Sequence, residues 1–333
     1  MWIFLKLNQF ILWIIVTAIH KIIRNIIWKI TGIENQLRNN HRPDAYKGTA
    51  QILSIWARHA LDEGSQPANQ RDFLTTHVTF DDPDVVLQDH VTLYALTEQE
   101  AVFVEVPIGC DVSNSNVSPF YRIAQFRNAR RVIVLPLHVF HKLAERIGPP
   151  QAKLIFITHT SRCGSTLLGQ VFEETRKAIV FSEPDITRRL TTYRKSHSTA
   201  QFERRTRHVI NILCKSRRAD IDCFVIKFEL SETTLVPYLA KLYPDAYFLF
   251  MYRHGFKVAQ SLVKASTKWP LTMIGMNVSV CSMRFGLAVD RWFQLTELRC
   301  PMQPESYIQL CTMVWAQQIQ LYETFRAQGK LMA

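Results

Sequence analysis

Apolar residues run almost unbroken through WIFLKLNQFILWIIVTAI at positions 2–19 and continue as Ile22, Ile23, Ile26, Ile27 and Ile30. A bilayer-crossing helix needs about 20 such residues. Lys6, Asn8 and Gln9 interrupt the run. Lys21, Asn25 and Lys29 recur every fourth residue, so they share one helix face. The pattern predicts a hydrophobic, membrane-associated helix over residues 1–32, with contact through residues 2–30. It either spans the bilayer or lies in the interface with its apolar side down. Neither a charge-first order nor small residues at a cleavage site favour a removed signal peptide.

Beyond it, residues 33–148 read as an α+β region. A polar connection over 31–75 contains one amphipathic helix around Thr49–Leu61. Strands follow at His90–Leu96 and Ala101–Val106, with Thr97–Glu100 as their turn. Asp111–Pro119, rich in Ser and Asn, reads as loop. Arg131–Leu135 is strand-like and Phe140–Ile147 a short helix. Gly148-Pro149-Pro150 then breaks the chain, and residues 149–333 form the next unit.

There the pattern becomes β-α-β-α. Apolar runs at Leu154–Thr158, Ile179–Phe181, Cys223–Phe228 and Tyr247–Tyr252 read as strands. Thr166–Glu174, Gln201–Lys215, Glu232–Leu242 and Gly255–Lys264 read as helices. Strands without polar alternation, separated by helices, indicate an α/β fold: a parallel sheet flanked by helices.

The chain has 333 residues, 47% hydrophobic and 20% charged. That composition fits a globular core and excludes disordered, fibrous and low-complexity classes. No repeat of fixed period is present. A net charge of +12 calls for an anionic partner. The seven cysteines form no CxxC or Cys/His cluster at metal spacing, so no structural metal is expected. Arg188–Arg218 holds ten lysines and arginines against Glu203 alone. It is either a solvated basic face or a dock for an anionic acceptor. No nucleic-acid module accompanies it. Topology stays open. Charge is heavier after the apolar run, which favours a cytoplasmic face. The sequons Asn116-Val117-Ser118 and Asn277-Val278-Ser279 count only in a lumen, such as the Golgi.

The chemistry concentrates in His159-Thr160-Ser161-Arg162-Cys163-Gly164-Ser165-Thr166-Leu167-Leu168, between the first parallel strand and its helix. A turn at Gly164 lets successive backbone N–H groups face one concavity. The helix start adds open donors and a positive dipole end. Ser165 and Thr166 add hydroxyls, and Arg162 a charged fork suited to phosphate or sulfate oxygens. The triphosphatase loop G-x-x-x-x-G-K-[ST] is absent, because Ser165 stands where its lysine belongs. Cys163, beside Arg162 and a helix start, is expected to have a lowered thiol pKa.

Ser161–Leu168 resembles the 5′-phosphosulfate loop of the sulfotransferase family: a basic residue, a small residue, Gly, then two Ser/Thr. That family has a second motif, an apolar strand ending in Arg with a Ser eight residues on. Here Tyr247–Tyr252 leads into Arg253, and Ser261 follows at that spacing. His254-Gly255 stands where the family has Asp/Asn-Pro, and Cys163 where it has Ser. The later Arg-Lys-Gly stretch has no ordered match, with Arg326–Lys330 the nearest. The resemblance covers about half the chain and implies a P-loop-like fold. It also implies 3′-phosphoadenosine 5′-phosphosulfate as donor, a hydroxyl or amine acceptor such as a glycan, and no metal. On that reading Ser161, Arg162, Cys163, Gly164, Ser165 and Thr166 hold the 5′-phosphosulfate. Arg253 and Ser261 hold the 3′-phosphate. Glu183, just after the second strand, is the candidate base, similar in place to the glutamate of carbohydrate-type members; His159 is the second. Arg162 also stabilises charge on the leaving group. Lys227 either points into the site or snorkels at a sheet edge, and is given no role. The alternatives are a P-loop kinase-like enzyme and a non-catalytic anion-binding membrane protein.

Overall fold

A computed structural model describes residues 2–60, 63, 66–215, 218, 220–266 and 306–329, with the side chains of 2–7, 266 and 307 excepted. The Asn277 sequon, Cys281, Cys300, Lys330 and Arg217 lie outside these residues. Asn116 is exposed in its loop. The chain divides into two compact units. Unit 1 comprises Met1–Gln151 and Pro184–Asp220; unit 2 comprises Ala152–Glu183 and Ile221–Ala333. The segment 184–220 therefore groups with the N-terminal part of the chain.

Unit 1 begins with the apolar helix α1 (Trp2–Ile30) and a short helix α2 (Ile33–Asn40). Its five-stranded antiparallel sheet comprises β1 (Ala50–Arg58), β2 (Phe73–Asp81), β3 (Val91–Leu96), β4 (Glu100–Glu105) and β5 (Arg131–Pro136). The strand order is β2-β1-β5-β4-β3. The helix expected around Thr49–Leu61 is strand β1. Ile52, Leu53, Ile55 and Trp56 mimic a helical face by their spacing. Yet β1 pairs on both sides, and its register shifts at Ile52/Leu53 and Ile55/Ala57 break the strict alternation that marks a strand. Leu53, Tyr94, Val102, Val104, Phe126 and Val132 form the core on one sheet face. Helices α3 (Tyr121–Asn128) and α4 (Leu137–Ile147) complete this part.

Two further helices of unit 1 come from the later segment: α6 (Asp185–Ser196) and α7 (Thr199–Leu213), which follow α5 (Ser165–Glu174) of unit 2. Helix α6 opens on Asp185 and closes on Arg194 and Lys195, both favourable to the helix dipole. Helix α7 opens on a Ser198/Gln201 capping box. Much of the basic segment is engaged inside the unit. Arg188 and Arg189 pair with buried Asp185, Arg204 with Glu145 and Arg205 with Glu98. Lys215 donates to the Gln88 and Val91 carbonyls at 2.7 and 2.6 Å.

Unit 2 is α/β, a four-stranded parallel sheet flanked by helices. It contains β6 (Lys153–His159), α5 (Ser165–Glu174), β7 (Ala178–Ser182), β8 (Cys223–Lys227), α8 (Val236–Leu242), β9 (Tyr247–Met251), α9 (Gly255–Ser266) and α10 (Tyr307–Ala327). The order is β7-β8-β6-β9. Strand β6 sits inside and is covered on both faces. Ile155 and Ile157 pack with Leu168 and Phe172 of α5, while Phe156 stacks on Phe228 and Phe248 on the other side. Side chains that alternate between two covered faces make a strand apolar throughout, which explains its unbroken pattern.

Helix α10 packs against α9. Tyr322 stacks on Phe250 at 4.2 Å between ring centroids, and the Trp315 indole lies over Gly255. A Cβ at Gly255 would come within 2.9 Å of that indole. The glycine at this place, where Asp/Asn-Pro was the expected pair, thus has a packing cause. Gly255→Ala is expected to lower the unfolding free energy of unit 2 by about 1–3 kcal/mol through overpacking, read from urea denaturation. Combining it with Trp315→Leu should restore much of the loss.

Candidate anion-binding site

The register of the parallel sheet brings four chain segments to one edge. Ile157 of β6 is level with Lys227 of β8, Ser182 of β7 is level with the same lysine, and His159 is level with Met251 of β9. The loop after β6, Glu183 after β7, Lys227 ending β8 and Arg253 beyond β9 all leave the carboxyl end. Open α/β sheets bind ligands at this end.

The loop has an unusual backbone. Ser161 and Arg162 have φ of 62° and 50°, and Gly164 has 95°. Left-handed geometry costs a non-glycine residue ~1–2 kcal/mol, so two such residues in succession store strain. Gly164 is the N-cap of α5 and offers no side chain to the helix's first N–H groups. What holds the turn is His159. Its Nδ1 accepts the Ser161 N–H at 3.0 Å, and the Thr160 N–H donates to the Met251 carbonyl at 3.0 Å.

The two sequence motifs meet here. Arg162 Nε donates to Ser261 Oγ at 2.9 Å, and Arg253 Nη1 donates to the Arg162 carbonyl at 3.3 Å. Trp315 Nε1 donates to the Arg253 carbonyl at 2.8 Å and so anchors that residue to α10. Both guanidinium residues are exposed, and among the described residues neither has a carboxylate partner. Ser165 is buried at the helix start, while Cys163 is a half-buried free thiol.

Lys227 is the residue that sequence reasoning passed over. Its side chain is 1% exposed, so it does not snorkel. Its Nζ lies 2.5 Å from Glu183 Oε1 and 3.4 Å from both Thr166 Oγ1 and Ser182 Oγ. The ammonium therefore sits behind the first turn of α5. Glu183 has a left-handed backbone, φ 54°, and its N–H donates to the Lys227 carbonyl at 2.8 Å. The lone signal in the sequence was a lysine closing an otherwise apolar strand.

His159 is 5% exposed, and its Nε2, which makes no hydrogen bond of ordinary geometry, lies 3.9 Å from Glu183 Oε1. Burial first, and then the Lys227 charge, hold its pKa down to about 4. The ring is neutral at physiological pH, with Nδ1 as acceptor. Among the residues expected at the site, Ser161–Thr166, Arg253 and Ser261 lie together, Glu183 lies beside Lys227, and His159 lies beneath the loop.

Searched against family models, curated proteins and solved structures, the chain matches none. The case for function therefore rests on the residues themselves.

The low pKa of His159 has a consequence for stability. The folded state resists a proton that the unfolded chain accepts near 6.5. The contribution of His159 is present above pH 6.5 and is lost as pH falls toward 4, at no more than about 1.4 kcal/mol per pH unit. His159→Asn keeps an acceptor for the Ser161 N–H. It should flatten the slope of unfolding free energy against pH in that window. An unchanged slope would remove His159 from the acid response.

Proposed function

We propose that unit 2 is a P-loop-like sulfotransferase that moves the sulfuryl group of 3′-phosphoadenosine 5′-phosphosulfate to a hydroxyl or amine acceptor. The observation that carries this reading is the convergence of Arg162, Ser261 and Arg253. Two arginines with no carboxylate partner among the described residues, held side by side at an open helix start, oppose each other unless an anion joins them. A nucleotide with phosphates at both the 3′ and 5′ positions supplies two anionic groups for two cationic centres.

In this mechanism the loop N–H groups, Arg162 and Thr166 take the 5′-phosphosulfate. Arg253 and Ser261 take the 3′-phosphate, whose binding energy positions the reacting sulfate. Sulfuryl transfer resembles phosphoryl transfer in its in-line attack, with negative charge gathering on the leaving phosphate. Lys227 adds a buried positive charge behind Thr166, where low dielectric strengthens it. It also holds Oε1 of Glu183, leaving Oε2 to take the acceptor's proton. His159 is a shaping residue for the loop. Its buried, acceptor-bound ring makes it the weaker choice for a base.

The test is thermal stabilisation, because a ligand that binds only the folded form raises its stability. Adenosine 3′,5′-bisphosphate should raise the melting temperature more than ATP with Mg²⁺. Arg162→Ala and Arg253→Ala should each remove most of that gain. Lys227→Met should cut turnover by roughly 10²–10³-fold once an acceptor is in hand. Stabilisation by ATP–Mg²⁺ alone would move the assignment to a kinase-like enzyme. Binding that survives Arg162→Ala would end it.

A further inference from the structure

Helix α1 touches its own unit along one narrow stripe. Phe10, Trp13, Thr17, His20, Arg24 and Trp28, spaced every three or four residues, are half-buried. Trp13 Nε1 donates to the Arg71 carbonyl at 3.2 Å. The rings of Phe10 and Trp13 lie 6.2 and 5.5 Å from His59. Trp28 packs on the sheet core and carries the Arg24 guanidinium 4.4 Å above its ring. On a helix of 3.6 residues per turn the opposite direction belongs to a second set. Ile14, Ile15, Ile19, Ile22, Ile23 and Ile26 are each at least half exposed. Residues 8–30 contain an 18-residue stretch of mean hydropathy 1.8, so the helix is long and apolar enough to cross a membrane by length and composition.

We propose that α1 lies flat in the surface of an anionic lipid bilayer, its isoleucine face among the acyl chains and its tryptophan face bound to unit 1. Three observations favour lying over crossing. The docked stripe runs from Phe10 to Trp28, about 27 Å at 1.5 Å per residue, which is nearly a bilayer's hydrocarbon thickness. Crossing would therefore draw Arg24, His59 and Arg71 into hydrocarbon, where no water serves their polar groups. Charge is one-sided. The helix contains no acidic residue; Lys21 is exposed at the edge between the two faces and Lys29 is exposed in the last turn. From that edge an ammonium reaches lipid phosphate while its stem stays apolar. Apart from Lys21 and Asn25 at one side, the outward residues from Ile11 to Ile27 are aliphatic and present lipid with an apolar surface. The inference is independent of the sulfuryl-transfer reading.

Two measurements on the full chain decide it. In flotation, the protein should rise with phosphatidylserine-containing vesicles more than with pure phosphatidylcholine. Ile22→Glu with Ile26→Glu should abolish flotation. Lys21→Glu with Lys29→Glu should weaken it on anionic vesicles by about tenfold or more. The outer-face side chains hold nothing together inside the unit, so the melting temperature should stay unchanged. In the second measurement the unsubstituted protein, tagged at both ends, is inserted into sealed microsomes and treated with protease. Both tags should meet the same fate. One tag cut and one protected means a spanning helix and overturns the proposal. Failure to float overturns it too, as does a stable dimer in solution that loses its vesicle binding.

Discussion

A buried lysine charge governs the geometry around the loop. The Lys227 side chain is only 1% exposed, so its ammonium must find compensation within the fold. Glu183 supplies the charge, and Thr166 and Ser182 the remaining oxygens. To bring its carboxylate back to β8, the chain leaves β7 with Glu183 in left-handed geometry. The same cation, together with burial, keeps His159 neutral. A neutral imidazole is able to accept the Ser161 N–H and pin the strained turn. One ion pair thus fixes the backbone at Glu183 and the field at the start of α5.

How much of this was legible in the sequence follows from the range of the cause. The four strands of unit 2 could be read because strands covered on both faces are apolar throughout, whereas α6 and α10 were not read and α8 begins four residues later than expected. The loop could be read because Gly164 and its Ser/Thr neighbours act locally. Lys227 could not be weighed, because its meaning depends on Thr166 and Glu183, 61 and 44 residues away. Strand β1 was misread for a related reason. Its burial on both sides comes from β2 and β5, and bulges shifted its apolar residues into a helical spacing.

The basic segment shows the same limit for charge. As a string it is a block of ten cations, which suggests an external partner. In the fold, Asp185 at the head of the same helix pairs with Arg188 and Arg189, Glu145 and Glu98 are brought to the segment from elsewhere in unit 1, and backbone carbonyls take up Lys215. Two cations stand instead at the sheet edge of unit 2, where Arg162 and Arg253 adjoin without acids among the described residues. Composition measures how much charge a chain has. Only pairing decides where that charge is left to act.

The same segment constrains how the protein folds. Strands β7 and β8 are adjacent and parallel, so a crossover must join them. Here that crossover is α6 and α7, whose apolar side chains Phe202, Val209 and Ile210 are buried in unit 1. Asp185, the first residue of α6, accepts the Ala68 N–H at 2.9 Å. Unit 1 is therefore incomplete without a segment that is synthesised after β7. Glu183 is the last residue before the chain leaves unit 2, and the pair it makes with Lys227 spans the whole excursion. The charge that shapes the candidate site is thus compensated only when β7 and β8 have paired across that excursion.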